Sequence, residues 1–473
     1  MTATVSRKSL AAAASANQRL AKEAAAVSGD NTNPFFGVDW SPSYVAFLGY
    51  MLAIISYKFP IGAASMAVAI LTLPLEKRPL RMPPLAALAF GLVAWGAVCF
   101  IGTQYPVEGL TGITEFAKVG AIIFVAVNVL SSRARVRAFL VGTLIVFALF
   151  PIRGALITWA TPGGTANDGR AIWVFTYSNP NDLASFCLLQ VSCCLAILAM
   201  ERKWWVKLGT QVSLGLLVLL IVLTASRGAL IALVATGAIL GWKYVRRITV
   251  THVLVMAAMV TLVAVVAPQR VWDRFATLKT ATSSDAELFD PDEYDQQRRA
   301  DQGSSVQRLA IWDVALGIIS ENPVLGVGLG TYPRAHQVMA RRQGYSPIAR
   351  GLRDTHSTYL NVMAEVGIPG FCIFMGMIVV TLKNARRVRR QMEARYPALS
   401  LQLFNAEVGF YGYMVAGIWG SYAAVSQTHI HLVTIYALTE LLAQEGGGPK
   451  QIKRGKRVQP VAQVAANLSG ATA

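Results

Sequence analysis

Arginine is costly to place beside lipid unless an anion or carboxylate meets it, and its planar fork binds phosphate oxygens two at a time. Arg227 stands in Thr224-Ala-Ser-Arg-Gly228, between apolar runs so close together that its guanidinium must stay at the end of a helix pair. Arg153, Arg170, Arg308 and Arg353 lie in other segments between apolar runs. Several guanidinium groups converging on one point would hold a diphosphate without needing a metal. Taken singly, Arg153, Arg170 and Arg353 are better explained by a surface salt bridge or a lipid contact, and Arg227 competes with snorkelling to lipid phosphate.

His356 follows Arg353-Asp-Thr at the start of an apolar run, where Ser357 or Thr355 is placed to cap a helix. The positive end of that helix disfavours an imidazolium, so a neutral ring there is suited to accept a proton from a sugar hydroxyl. Glu365 lies on the same helix about half a turn round from His356, which assigns it to positioning rather than direct catalysis. Leu309, Trp312, Leu316 and Ile319 repeat at helical spacing, with Ser304 or Ser305 as N-cap and Asn322-Pro323 as terminator. They predict an amphipathic helix against the outer surface, followed by a flexible turn at Gly326-Val-Gly328-Leu-Gly330. Asn179-Pro-Asn181-Asp182 is a stop-and-cap sequence that also presents polar side chains. His429 and His431 have no companion ligands for a metal, and Asp290-Pro-Asp292 lies far from any nucleotide fold.

These residues need a scaffold, and the composition names its class. Of 473 residues, 54% are hydrophobic and 14% charged, too apolar for a soluble chain. The five cysteines all fall in apolar runs and predict no disulfide. Apolar stretches near bilayer length occur at 43–57, 60–75, 84–102, 115–131, 137–152, 182–200, 207–224, 228–242, 249–267, 357–382, 405–425 and 428–443. The fold class is therefore all-α, a polytopic membrane protein of about 12 transmembrane helices. The net charge of +18 comes largely from clusters at 77–81, 133–137, 202–207, 243–247 and 383–395 and from the C-terminal tail. All of these face the cytoplasm if both termini do, which satisfies the positive-inside rule and points to a membrane rather than nucleic acid. The resulting organisation is a cytoplasmic tail over 1–42, nine spans over 43–267, one large outward loop over 268–356, three spans over 357–443, and a second cytoplasmic tail over 444–473. Within the loop, 280–303 is polar and acidic and predicts a mobile stretch.

Taken in order, Asn179-Pro-Asn181-Asp182-Leu, Ser226-Arg227-Gly228, Ser305-Val-Gln-Arg308-Leu-Ala-Ile-Trp312, Asn322-Pro323, the Gly326–Gly330 run, His356-Ser357 and Glu365-Val-Gly367 resemble the O-antigen ligase and polymerase superfamily over residues 85 to 443. The resemblance implies a GT-C-like membrane glycosyltransferase of the bacterial inner membrane, with its site facing the periplasm. It would take glycan from undecaprenyl diphosphate, with inversion and with no metal or other cofactor. By the family's pattern Arg227 and Arg308 bind the diphosphate and His356 activates or orients an acceptor hydroxyl, with Arg153, Arg170, Asn181, Trp312, Arg353 and Glu365 around the substrate. The acceptor is lipid A core for a ligase, or the growing glycan for a polymerase, and the single large late loop leans the reading to the ligase. A transporter or flippase is the rival from another class. Carriers usually show internal repeats and mid-membrane ionisable residues, and neither pattern is evident in this sequence.

Overall fold

The computed structural model describes residues 32–164, 169–244 and 293–446. Every extended element among them is helical. In chain order they are α1 Pro42–Ser56, α2 Gly62–Thr72, α3 Pro84–Ile101, α4 Pro106–Val129, α5 Arg133–Phe147, α6 Arg153–Ala160, α7 Pro180–Met200, α8 Trp204–Leu223, α9 Arg227–Tyr244, α10 Glu293–Glu321, α11 Tyr332–Met339, α12 Thr358–Met392, α13 Pro397–Ala416 and α14 Ser426–Glu445. Among the described residues, six helical stretches are long and apolar enough to cross a membrane: α3, α4, α5 with α6, α7, α8 and α12. The chain is a multi-pass membrane protein.

Local chemistry sets the helix starts. Ser41 and Ser132 accept hydrogen bonds from the third residue beyond them, Tyr44 and Arg135, while the Asn179 carboxamide accepts from the Asn181 N–H at 2.9 Å and Pro180 fills the first turn of α7. The bundle is knit most tightly between α7 and α13. Gly409 makes that approach possible, because a Cβ there would lie 1.8 Å from Ser192 Cβ. Close approach through small residues is how helices pack when lipid is the solvent.

Each expected apolar stretch among the described residues lies on a helix, but several boundaries move. The stretch 249–267, the Asp290-Pro-Asp292 motif and most of both tails lie outside the described residues. Helix α4 begins at Pro106 rather than 115, where Glu108 in its first turn pairs with Arg334 at 2.8 Å. The 137–152 stretch passes through a π-helical turn at Ala148–Ile152 containing Pro151 and continues to Ala160, so Arg153 is on a helix rather than in a loop. Ser304 and Ser305 do not open the helix, because α10 starts at Glu293 and runs through their positions, which also makes 293–303 helical. The Asn322-Pro323 stop does end it. The buried face of α10 is Ile311, Val314, Ala315, Ile318 and Ile319, so that of the expected stripe Ile319 faces inward while Leu309 and Leu316 are exposed. The expected stretch 405–425 ends as a helix at Ala416, and 417–425 forms a folded turn.

Candidate functional site

The first turns of α7 and α9, the α10 helix and the 417–425 turn meet around a polar cavity of about 80 Å³. Arg170, Asn181, Ser185, Ser226, Arg227, Arg308, Trp419 and Tyr422 are among the residues lining it. Four sequence-predicted residues, Arg170, Asn181, Arg227 and Arg308, thus come together from segments far apart in the chain.

Backbone geometry fixes the first three. α8 stops at Leu223, Ala225 turns through a positive φ of 47°, and Arg227 becomes the first residue of α9. Such a conformation is strained for a residue with a Cβ and marks a turn held by its surroundings. Gly228 lets Trp419 pack on the start of α9, since a Cβ there would sit 3.1 Å from the indole. Arg170 is 8% exposed and threads across this turn. Its Nε donates to the Thr224 carbonyl at 2.7 Å, its Nη2 donates to Asn181 Oδ1 at 2.9 Å, and Ala171 N–H donates to the Leu223 carbonyl. One arginine therefore ties the Arg227 turn to the start of α7.

His356 sits just before α12, also at a positive φ of 49°. It is outside the cavity lining, yet it feels the charges of Arg308, Arg353 and Asp354, whose carboxylate lies 3.9 Å from Nδ1. Burial lowers the imidazole pKa below its ordinary value, Arg308 and Arg353 push it the same way, and Asp354 opposes them. Desolvation leads, so the neutral ring does not depend on a helix dipole. Ser357 occupies the N-cap position without a side-chain cap bond; Thr355 Oγ1 instead accepts from the Ser357 N–H at 3.2 Å. Trp312 Nε1 donates to the Thr355 carbonyl at 3.0 Å, so α10 holds the residue before His356 while carrying Arg308 one turn away.

Glu365 supports the same region from below. Its carboxylate is 5% exposed and accepts from the Gly330 and Tyr332 backbone N–H groups and from Asn361. The neighbouring Gly328 and Val327 N–H groups donate to the Glu365 and Ala364 carbonyls at 2.8 and 2.9 Å. Gly367 breaks α12 with φ 66°, and a Cβ there would lie 2.1 Å from the Val324 carbonyl oxygen. The glycine run 326–330 is thus a docked segment rather than a loose turn. Glu365 is its anchor and makes these contacts away from the cavity lining.

The remaining predicted residues stand apart from the cavity. Arg153 is exposed on α6, and Arg353 is exposed with its Nε toward the Arg350 carbonyl. His429 and His431 are buried on α14 with a ring nitrogen near a backbone carbonyl each, Ala423 and Ala406. Sequence reasoning missed Trp419, Tyr422 and Ser185. Gly417 and Gly420 inside an apolar run were the available sign that this stretch leaves the helix. It also passed over His336, a buried ring whose Nδ1 lies 3.3 Å from the Gly351 carbonyl and whose pKa burial lowers.

No curated protein matches the chain. Residues 212–375 match the family described as O-antigen ligase. That span contains Arg227, Arg308, His356, Glu365 and Gly367, and it starts after Arg170 and Asn181 and stops before Tyr422. The match covers less than half of the chain, and over that region it supports a likeness to the O-antigen ligase superfamily.

Proposed function

We propose that the protein is an O-antigen ligase-type glycosyltransferase, a 12-span GT-C-like enzyme with both termini in the cytoplasm and its arginine cavity facing the periplasm. The observation that carries this reading is the meeting of Arg170, Arg227 and Arg308 around one polar cavity beside His356. The donor is a glycan on undecaprenyl diphosphate, and the acceptor is a hydroxyl of lipid A core or a similar glycan. The acceptor oxygen attacks the anomeric carbon as the bond to the diphosphate oxygen breaks, inverting the centre. The hydroxyl proton passes to neutral His356, and the charge developing on the diphosphate is met by Arg227 and Arg308.

A polymerase of the same superfamily would use the same donor and the same cations. A flippase is not favoured, because the family match is to glycan-joining proteins. The test is alanine replacement of Arg227, Arg308 and His356 in turn in the native host. Surface glycan should vanish with protein abundance unchanged, and normal glycan in all three strains would remove the enzyme reading. In a deletion strain, long carrier-bound chains mark a ligase and single carrier-bound repeats a polymerase.

A further inference from the structure

The 417–425 turn forms one wall of the arginine cavity, to which it contributes Trp419 and Tyr422. Two threonines at the start of α12 hold that wall. Thr358, the first residue of α12, gives its N–H to the Gly417 carbonyl at 2.8 Å. Its hydroxyl donates to the Gly420 carbonyl at 2.6 Å and accepts the Tyr422 N–H at 2.9 Å. Thr355 Oγ1 lies 3.1 Å from Ser421 Oγ and also accepts the Ser357 N–H. Thr358 and Thr355 are buried, at 7% and 0% exposure. An N–H in the first turn of a helix has no partner within that helix, and at Thr358 a carbonyl of the turn supplies one.

The bonds from Thr358 to Gly417 and Gly420 bracket Trp419, whose indole packs on Gly228 beside Arg227. His356 stands between the two threonines, directly after Thr355 and two residues before Thr358. The same turn reaches the first turns of α7, where the Tyr422 hydroxyl lies 2.7 Å from Ser185 Oγ. A continuous path of close contacts thus runs from the His356 segment to the Arg227 turn. Group transfer depends steeply on such spacing, and an error of roughly 1 Å costs about 100-fold in rate. Arg227 and Arg308 themselves sit on α9 and α10, so the path governs alignment rather than the supply of charge. We infer that Thr355 and Thr358 are positioning residues, whose hydroxyls latch the 417–425 wall and so hold His356 at a fixed distance from Arg227. This rests on the reading of the cavity as the diphosphate site and of His356 as the proton acceptor.

The experiment uses the full-length protein in lipid nanodiscs. It measures binding of undecaprenyl diphosphate, turnover on carrier-linked glycan and acceptor purified from the native host, and thermal unfolding. Thr358→Val keeps the branched shape, removes the hydroxyl and should lower kcat roughly 10- to 100-fold. Its Kd for undecaprenyl diphosphate should stay within about twofold of the starting value. Thr358→Ser keeps the hydroxyl and should recover most of the rate. Full activity in Thr358→Val overturns the inference, as does a serine variant no better than the valine one. A merely structural role predicts that binding, turnover and unfolding temperature fall together, and that result overturns it too. Should Thr358→Val fail to fold, Ser421→Ala decides through the second latch: kcat should fall about threefold at unchanged Kd, and an unchanged kcat overturns the inference. If Arg227→Ala binds undecaprenyl diphosphate as tightly as the unaltered protein, the reading of the cavity fails and takes the latch with it. Lost binding in Arg227→Ala beside full activity in Thr358→Val sinks the latch alone.

Discussion

The two ends of α7 treat arginine differently. Just past its last residue, Glu201 takes Arg137 in a pair buried to 12% and 2% side-chain exposure, and also accepts the Arg202 and Lys203 N–H groups. Its neighbours follow suit, with Arg135 on Glu76 at 2.9 Å and Arg389 on Glu407 at 3.1 Å. At its first turn, about 30 Å away by helical rise, Arg170 lines the polar cavity and donates to the Thr224 carbonyl and the Asn181 amide oxygen. α12 and α9 repeat the polarity: α12 runs from beside His356 to Arg389, and α9 from Arg227 to Lys243, which pairs with Glu393. A carboxylate partner cancels much of a guanidinium's field, and the carbonyl and amide oxygens at the cavity end orient Arg170 along its wall. One end of α7 carries arginine in a buried ion pair, and the other carries it on the wall of the cavity.

That contrast is broken most severely by removing a carboxylate from the ion-paired end. Glu201→Ala leaves Arg137 in a buried site without its partner and should cost about 3–5 kcal/mol. The expected readout is a fall in thermal stability and abundance, with activity per folded molecule retained; an unchanged unfolding temperature would remove the distinction between the ends. Arg308→Ala at the other end should do the reverse, lowering turnover roughly 100- to 1,000-fold at unchanged unfolding temperature. Purified protein assayed on lipid-linked donor checks it, and equal losses of stability in both variants would refute it. Gly367→Ala lies between these extremes. The positive φ of 66° strains any Cβ by about 1–3 kcal/mol and the Val324 carbonyl blocks it. Undocking of the 326–330 segment should then show as new protease cleavage there together with reduced activity.

How far the sequence could be read depended on the range of the interaction. Arg227 was legible because two apolar runs abut and leave only a turn between them, a local fact. The Arg170–Asn181 bond was not, since it requires the chain to return across the end of α8. Residues 293–303 carry no apolar stripe, so nothing local favoured their continuation of α10 over a mobile stretch. Within the stripe Leu309-Trp312-Leu316-Ile319, the two leucines misled for another reason. In a protein bathed in lipid, an apolar side chain is equally at home facing outward, and periodicity cannot choose between two apolar faces. The same indifference hid the 417–425 turn. Its composition suits a membrane helix, and only the bonds from Thr358 to Gly417, Gly420 and Tyr422 reveal why it folds back to the cavity.

The smallest effect expected is also the one that best sharpens the comparison, because it reads the arginines near His356 through a proton. His356 is depressed by burial first, then by Arg308 and Arg353, and is raised by Asp354. If the neutral ring is the active form, the acid limb of the rate profile must fall below the ordinary histidine value of about 6.5. Arg353→Gln removes a cation that depresses the ring, so the limb should move up in pH. Asp354→Asn removes the opposing anion, so it should move down. Stability shares the sign: below about pH 6.5 the unfolded chain takes the proton first, and folding free energy declines as pH falls further. Unfolding temperatures must therefore be followed alongside the rates. Opposite shifts of the two limbs at constant unfolding temperature are the predicted result, and shifts in the same direction would show that the neighbouring charges do not act on His356.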